Sequence, residues 1–393
     1  MTWRLGRCAL LAAVLACGER SDVPRAAIEA VVARDAVFSG PDAVPEALAG
    51  ALAGRRVVLF GETHYVQQHQ DLLVRLLPRL HAAGFRFILQ EDMQAMAWPG
   101  EEYAMLRSDE LPGGVAAFDR TLLSGLRAFN AGLPEADRIH FAGFDMNHAD
   151  DMFAWAAGEF QRRFGHVAQL DAVLAVAPRS SRYALELESA AARLQAEEEA
   201  VVAVLGAARY AQLVDLLDVE RKSIPVRRQF TDDAREAIIR ERVVKALAAA
   251  GSSAVAVNTG MNHAQREKFM GATSEYVGTW LAKHPEAYGG DAAGLLSIAF
   301  TGAKGTRRTE AWTPGTWTFD VVAEAAENDL VRVVAEQAAG RTTWLPLRDA
   351  LFEERIDMDL GRRIQTVRPR RQFDALVVYP DVSVLESLSL LDG

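Results

Sequence analysis

Short apolar runs separated by amphipathic segments recur along most of the chain. Runs that fit buried β-strands occur at 56–60, 86–90, 139–143, 254–258, 295–300 and 373–379. Residues 67–83, between the first two runs, predict a helix, because leucines recur there at helical spacing and Gly84 follows where a helix would end. A strand–helix–strand order predicts parallel strands with helical crossovers. We therefore predict an α/β fold with a mainly parallel central sheet flanked by helices.

The stretch 150–250 has a different pattern. It is rich in Ala, Glu, Leu and Arg and poor in Gly and Pro, which predicts several long helices. We interpret this stretch as a helical insertion, or cap, beside the sheet within one domain covering 46–393. Residues 17–45 are interpreted as a tether and a first helix, with Ile28, Val31 and Val32 on one side.

Composition and charge narrow the class of protein. Half of the 393 residues are hydrophobic and 24% are charged, as in globular proteins with a large core. The formal net charge is -10, and no Lys/Arg-rich run interleaved with aromatic residues occurs. These features argue against a nucleic-acid partner. They say nothing about the substrate, which we expect to be a small molecule.

The N-terminus has the pattern of an export signal. Arg4 and Arg7 precede a short apolar segment, Cys8–Ala16, which is too brief to span a bilayer. The sequence Val14-Leu15-Ala16-Cys17 resembles the lipobox of bacterial lipoproteins. This resemblance implies a signal peptide at 1–16, lipid attachment to Cys17, and anchoring to the outer membrane facing the periplasm. An ordinary secretory signal and a short membrane anchor are the alternatives.

The folded part of the mature protein predicted in this way contains no cysteine available for chemistry. The chain has two cysteines; Cys8 leaves with the signal peptide, and Cys17 would carry the lipid. The folded body therefore contains no disulfide and no nucleophilic thiol. A Gly-x-Ser-x-Gly elbow is also absent from the sequence, so a serine hydrolase has little support.

Polar side chains follow four of the predicted strands at the point where each strand ends. In open α/β sheets, ligands bind in the crevice outside the carboxyl ends of the strands. A single polar residue there is more often a helix cap or a turn residue, but four strand ends in one chain favour a site. In strand order, the residues are Glu62, Thr63 and His64; Gln90, Glu91 and Asp92; Asp145, Asn147 and His148; Asn258, Asn262 and His263.

The residue types in this set suggest proton transfer or metal ligation. An imidazole can take a proton from water near neutral pH, and a carboxylate partner fixes its tautomer. The other histidines have simpler explanations. We interpret His69 as a solvent-facing helix residue and His140 as a structural strand residue.

Several motifs, taken in order, resemble the erythromycin esterase family over essentially the whole mature chain. They are GETH at 61–64, LRAFN at 126–130, FAGFD at 141–145, Arg235-Glu236, NTGMNH at 258–263 and the closing FDALVVYPDVS at 373–383. The pieces VVLFGETH and Gly260-x-x-His263 also resemble the related haem-binding, iron-regulated lipoproteins.

The resemblance to the esterases implies metal-independent hydrolysis of an ester without a cofactor. His64 would be the general base, Glu62 and Glu91 would orient and polarise the site, and His263 would be the second imidazole. Supporting roles fall to Asp145, Arg127, Arg235 and Asn258. A developing oxyanion also needs stabilisation, which His263 or an arginine could supply.

Two departures from the esterase pattern leave other functions open. Glu62 directly precedes Thr63-His64, where the esterases usually have one residue more, and Gly260 stands where they place the first of two histidines. One alternative is a lipoprotein that binds haem or another ligand without catalysis, through a surface His or Tyr65. Another is a metal-dependent hydrolase with His64, Glu91 and His263 as ligands of a divalent metal.

Overall fold

The structure is a computed structural model that describes residues 21, 23–41, 43–268, 272–308, 315–359 and 364–391. The proposed signal peptide at 1–16 and Cys17 lie outside the described residues, so they stay predictions. The α-helices are α1 Arg25–Asp35, α2 Glu46–Ala51, α3 Gln67–Ala82, α4 Gln94–Ala104, α5 Gly113–Asn130, α6 Met152–Phe164, α7 Asp171–Leu174, α8 Ser181–Ala196, α9 Glu198–Leu205, α10 Ala207–Arg228, α11 Asp232–Ala249, α12 Met261–Ala264, α13 Val277–Lys283, α14 Val321–Glu324, α15 Leu330–Ala338 and α16 Pro369–Gln372. The strands are β1 Val37–Ser39, β2 Val57–Glu62, β3 Phe85–Met93, β4 His140–Asp145, β5 Ala254–Gly260, β6 Leu295–Gly302, β7 Lys304–Arg307, β8 Trp317–Asp320, β9 Thr342–Pro346, β10 Ile356–Asp359, β11 Ile364–Val367 and β12 Ala375–Tyr379.

A mainly parallel sheet forms the centre of the molecule, which confirms the predicted α/β class. Within the described residues its strand order is β1-β9-β12-β6-β2-β5-β3-β4. Each neighbouring pair from β12 to β4 is parallel, whereas β9 pairs antiparallel with both β12 and β1. Every position of β2, β5 and β6 is buried, as expected when helices cover both faces of a parallel sheet.

The six strands predicted from the sequence are present, and the sequence reading missed the short ones. β1 and β9 form the antiparallel side of the sheet, while β7–β8 and β10–β11 form small antiparallel pairs outside it. Each of these strands has three to five residues, too few to establish a periodicity. β3 also extends past its predicted end at residue 90, because Met93 pairs with Asp145 beyond a bulge.

The predicted helical insertion is confirmed: α6 to α11 lie between β4 and β5. These helices have an apolar cluster of their own, which includes Phe153, Tyr183 and Leu216 and reaches the sheet through Trp98 of α4. Among the described residues, no single helix is long and apolar enough to cross a membrane. Helices α9 and α10 reach that length and apolar character only when taken together, and the chain bends by 118° between them.

Candidate active site

The carboxyl edge of the sheet carries a dense group of ionisable side chains. β2 ends at Glu62 and is followed by His64, β4 ends at Asp145, and β5 ends at Gly260, just before His263 of α12. β3 adds Glu91 at the bulge that follows Gln90, and α11 supplies Arg235 from its first turn. Because parallel strands end on the same side, residues distant in sequence meet here.

His64 is held by a carboxylate and remains accessible. Its Nδ1 lies 3.1 Å from Glu62 Oε1, and 30% of its side chain is exposed. An ionised carboxylate only accepts, so this contact places the imidazole proton on Nδ1. Nε2 is then the basic nitrogen, which is the tautomer that a general base requires.

His69 lies against Glu62 from behind and is itself held by a hydrogen bond to Asn258. His69 Nε2 lies 3.3 Å from Glu62 Oε2 and 2.6 Å from Asn258 Oδ1, and Asn258 Nδ2 donates to Gln90 Oε1 at 2.7 Å. Burial lowers the pKa of His69, although the nearby Glu62 charge opposes this. His69 is therefore a buried, neutral imidazole and not the solvent-facing residue that the sequence suggested. Asn258 contributes to the site by holding the His69 ring through this hydrogen bond.

Both carboxylate oxygens of Glu91 accept hydrogen bonds. Oε2 accepts from Thr259 Oγ1 at 2.7 Å and from the Gly260 N–H at 2.6 Å, while Oε1 accepts from Arg235 Nη2 at 2.7 Å. His263 Nε2 lies 3.3 Å from the same Oε1. Glu91 is thus a fixed negative charge at the centre of the edge.

Opposite charges control the protonation of this centre. Burial alone would raise the pKa of Glu91, but His263, His64 and Arg235 outweigh it and hold that pKa well below the usual range. Burial would likewise lower the pKa of His263, yet Glu91 and Glu236 raise it overall. Glu236 Oε1 lies 2.8 Å from His263 Nδ1. The two shifts favour a buried ion pair between an ionised Glu91 and a cationic His263.

Asp145 completes the anchoring of Arg235. Its two oxygens accept from Arg235 Nε at 3.0 Å and Nη2 at 2.6 Å, a bidentate arrangement, and His148 Nε2 lies 2.7 Å from Oδ2. Burial raises the pKa of Asp145, but Arg235 and His148 outweigh this and hold it at about 2. Arg235 and His263 are therefore bound to carboxylates within the site.

The presence of a glycine at position 260 has a steric explanation. A Cβ added at this position would lie 2.6 Å from His64 Nε2 and 3.3 Å from Glu91 Oε2. A side chain at 260 would therefore displace the imidazole from its present place. In this chain the glycine makes room for His64 at the end of β5, and its backbone N–H holds Glu91.

A second carboxyl pair lies next to Glu62. The carboxyls of Asp92 and Asp119 interact, and Asp119 sits at a break in α5, where its φ of -128° and ψ of 16° are not helical. Burial raises the pKa of both carboxyls, to well above the usual range for Asp119, and the negative charge of Glu62 acts in the same direction.

Seven of the eight candidate site residues are brought together; Arg127 is not among them. Arg127 donates to the carbonyls of Tyr103 and Ser108 at the loop after α4 and pairs with Asp109. The sequence reading missed His69, Asp119 and Glu236. Helical spacing could have found two of them, since His69 lies four residues before buried Leu73 and Glu236 three before buried Ile239.

Two further observations concern the surroundings. Among the described residues, no group of three or more His, Cys, Asp or Glu side chains is arranged to hold a metal ion. A hollow of about 760 Å³, lined by residues that include Arg56, Leu247 and Tyr288, lies at the opposite, amino edge of the sheet. The cavity and the ionisable cluster therefore do not coincide.

Comparisons with known proteins establish the fold and no family. Neither a protein-family model nor a curated protein sequence matches the chain. Among solved structures, a protein from Bacillus cereus aligns with a TM-score of 0.68 at 14% identity, over 92% of this chain and 98% of the other. A mutant erythromycin esterase in its open conformation aligns with a TM-score of 0.62 at 13% identity, over 86% and 94% of the two chains. A succinoglycan biosynthesis protein gives 0.65 at 13% identity, over 92% and 99%. The chain thus shares its α/β fold with an esterase structure.

Proposed function

We propose that the chain is a hydrolase that cleaves an ester or a related bond of a small molecule, with His64 taking a proton from water. The observation that carries this proposal is the Glu62–His64 contact. It places the proton on Nδ1 of an accessible imidazole at the carboxyl edge of the sheet. The fold shared with an erythromycin esterase structure supports the same class of reaction.

The other residues act through His64 and Glu91. Glu62, braced by His69, fixes the tautomer of His64 and stabilises the imidazolium that forms when water is deprotonated. Arg235 and His263 keep Glu91 ionised, and Glu91 in turn faces the His64 ring across Gly260. Glu62 and Glu91 bring negative charge beside the imidazole, which stabilises the imidazolium as it forms.

A substitution of His64 tests the proposal. His64→Ala should lower kcat on a panel of small esters by roughly 10²- to 10⁴-fold, the usual contribution of a general base. Circular dichroism should show an unchanged fold, because the ring is partly exposed. His166→Ala is the matched control, since His166 is exposed and pairs with Asp171 away from the cluster.

Two results would decide against the proposal. Full activity of His64→Ala would remove His64 from the mechanism. Wild-type protein without activity on any ester of the panel, together with a Soret band on addition of hemin, would favour the ligand-binding alternative.

A further inference from the structure

The hollow at the amino edge of the sheet lies where three central strands begin. Arg56 directly precedes β2, Gly294 directly precedes β6, and Ser252 lies in the turn before β5. The backbone of Arg56 is bonded on both sides, since its N–H donates to the Gly294 carbonyl oxygen at 2.8 Å and its own carbonyl oxygen accepts from the Val255 N–H at 3.0 Å. The sheet therefore holds the base of the Arg56 side chain in a fixed place.

Arg56 is a half-buried cation without an anion. Its Nη2 donates to the Gly251 carbonyl oxygen just after α11, and its Nη1 is a buried atom with no hydrogen-bond partner among the described residues. No ion pair joins this side chain to a carboxylate in the part of the chain that the structure describes. Burial lowers the pKa of Arg56, and no neighbouring acid opposes that shift. Because a guanidinium stays charged at neutral pH, the hollow contains a positive charge that no described side chain neutralises.

Tyr288 brings a second donor to the hollow. Its side chain is 3% exposed, and its hydroxyl has no hydrogen-bond partner among the described residues. Gly294 lets the two side chains approach, because a Cβ there would lie 3.2 Å from Arg56 Cβ and 3.5 Å from Tyr288 Cδ2. Burial and the charges of Asp291 and Glu286 raise the pKa of Tyr288, so the phenol keeps its proton at neutral pH. Two neighbouring donors that line the hollow are therefore unused, whereas buried polar groups are normally hydrogen-bonded.

The two acids that line the hollow are exposed and already have partners. Glu286 Oε1 lies 2.8 Å from His284 Nδ1, and Asp291 Oδ1 accepts from the Ala293 N–H at 2.9 Å. Solvent screens charges that are exposed in this way. The unused hydrogen-bonding capacity of the hollow is thus on the donor side, which selects a ligand that carries acceptor oxygens.

Aliphatic side chains complete the lining. Val244, Leu247 and Ala248 come from α11, and Ala287 precedes Tyr288. The volume of about 760 Å³ is that of a small-molecule site, and such sites combine apolar walls with a few convergent polar groups. The combination favours an organic anion over a bare inorganic ion.

We propose that this hollow is a second binding site, separate from the candidate active site, for a small organic carboxylate. Arg56 Nη1 and the Tyr288 hydroxyl donate to the carboxylate oxygens, one oxygen for each donor, and the aliphatic side chains of α11 cover the apolar part of the ligand. The site is independent of the proposed hydrolase function, because none of its residues belongs to the ionisable group at the carboxyl edge.

Two carboxylates, hexanoate and benzoate, test the site, with hexanamide and benzamide as neutral probes of the same shape. Isothermal titration calorimetry should show that wild type binds at least one carboxylate, and binds its amide at least about tenfold more weakly. Arg56→Met should weaken carboxylate binding by about tenfold or more, and Tyr288→Phe by about threefold to tenfold. Tyr288→Phe keeps the ring in place, so its loss of affinity does not depend on a change in the fold.

Three control variants should bind the carboxylate as wild type does. Arg182→Met removes an exposed arginine of α8 that pairs with Glu186, and Tyr210→Phe removes a hydroxyl that donates to the Leu194 carbonyl oxygen. His64→Ala removes the accessible imidazole of the candidate active site, so unchanged affinity in this variant locates binding away from that site.

Several results would overturn the proposal. They are no binding of either carboxylate by wild type, equal affinity for an acid and its amide, and unchanged affinity in both Arg56→Met and Tyr288→Phe. A protein that hydrolyses esters but binds neither carboxylate would keep the proposed function and lose this site. A protein that binds through Arg56 but hydrolyses no ester would keep the site and lose the function.

Discussion

Two buried charge clusters lie close together in this molecule and are built differently. The cap cluster joins α8, α10 and the loop after β4, and consists of Asn147, Asp150, Tyr183, Glu220 and Arg227. The sheet-edge cluster consists of Glu62, His64, His69, Glu91, Asp92, Asp119, Asp145, Arg235, Glu236 and His263. Both contain acids removed from water. Only the second combines them with an accessible imidazole.

The cap cluster is closed and satisfied. Glu220 is 0% exposed, and its oxygens accept from Arg227 at 2.6 and 3.2 Å, from Asn147 at 2.9 Å and from Tyr183 at 3.2 Å. Burial raises the pKa of Glu220, while Arg227 and the hydrogen bonds oppose that rise. Arg227 and Arg179 face the acids, and both oxygens of Glu220 have a donor. Such an arrangement fixes the cap against β4.

Carboxyls of the sheet-edge cluster have pKa values that are shifted in opposite directions. Glu91 and Asp145 have lowered pKa values beside cations, whereas Asp92 and Asp119 have raised ones. Neighbouring carboxyls whose pKa values are pushed apart are typical of acid–base sites. The cap shows a similar separation, since the pKa of Asp150 is lowered and that of Glu220 is raised, so the accessible imidazole of His64 is what distinguishes the sheet edge.

The largest expected effect is on stability and comes from the cap. Arg227→Met should lower the free energy of unfolding by about 3–5 kcal/mol, because it leaves Glu220 buried without its cation. Urea unfolding measures this loss, with Arg228→Met as the control, since Arg228 is adjacent and exposed. Activity per folded molecule should not change. A specific loss of kcat in folded Arg227→Met would mean that the two clusters act as one.

Gly260→Ala should affect activity more than stability. The new Cβ would displace the His64 ring, so we expect kcat to fall by about 100-fold, in the range of losing a general base. Gly158→Ala provides the control, because a Cβ on that helical glycine meets nothing within 4 Å. A crystal structure of Gly260→Ala should show the moved imidazole. Wild-type activity would contradict the steric role given to Gly260.

Glu236→Gln should have the smallest effect, and one that depends on pH. Glu236 helps to raise the pKa of His263, so the variant should lower that pKa. A histidine with a raised folded-state pKa stabilises the protein below its unfolded value of about 6.5, and this stabilisation is lost as the pH rises through the folded value. Wild type should exceed the variant by about 1–3 kcal/mol at pH 5 and by less at alkaline pH.

NMR titration of the His263 ring and thermal unfolding across pH check this prediction. Glu241→Gln, on the exposed side of the same helix, is the control. A stability difference that grows towards alkaline pH would have the wrong sign for a cationic His263, and would show that Glu236 acts on another group.

The sequence by itself determined the class of fold and most of the polar residues at the carboxyl edge of the sheet. Apolar runs gave the parallel strands, and polar residues directly after them gave His64, Glu91, Asp145 and His263. These predictions work because parallel strands end on the same side, so local position along a strand also gives position in the site. The helical insertion followed from its composition for a similarly local reason.

Only the tertiary structure decided which helical residues join that edge. Helical spacing shows that His69 or Glu236 faces inward, but the strand order determines which strand end each one meets. Two arginines illustrate the difference, since both lie in motifs of the family resemblance, yet Arg235 reaches Glu91 and Arg127 holds a distant loop. Gly260 shows the same limit, because the space that it leaves for His64 exists only once β2 and β5 lie side by side. Local pattern fixes the direction of a side chain, and packing across the sheet fixes its partner.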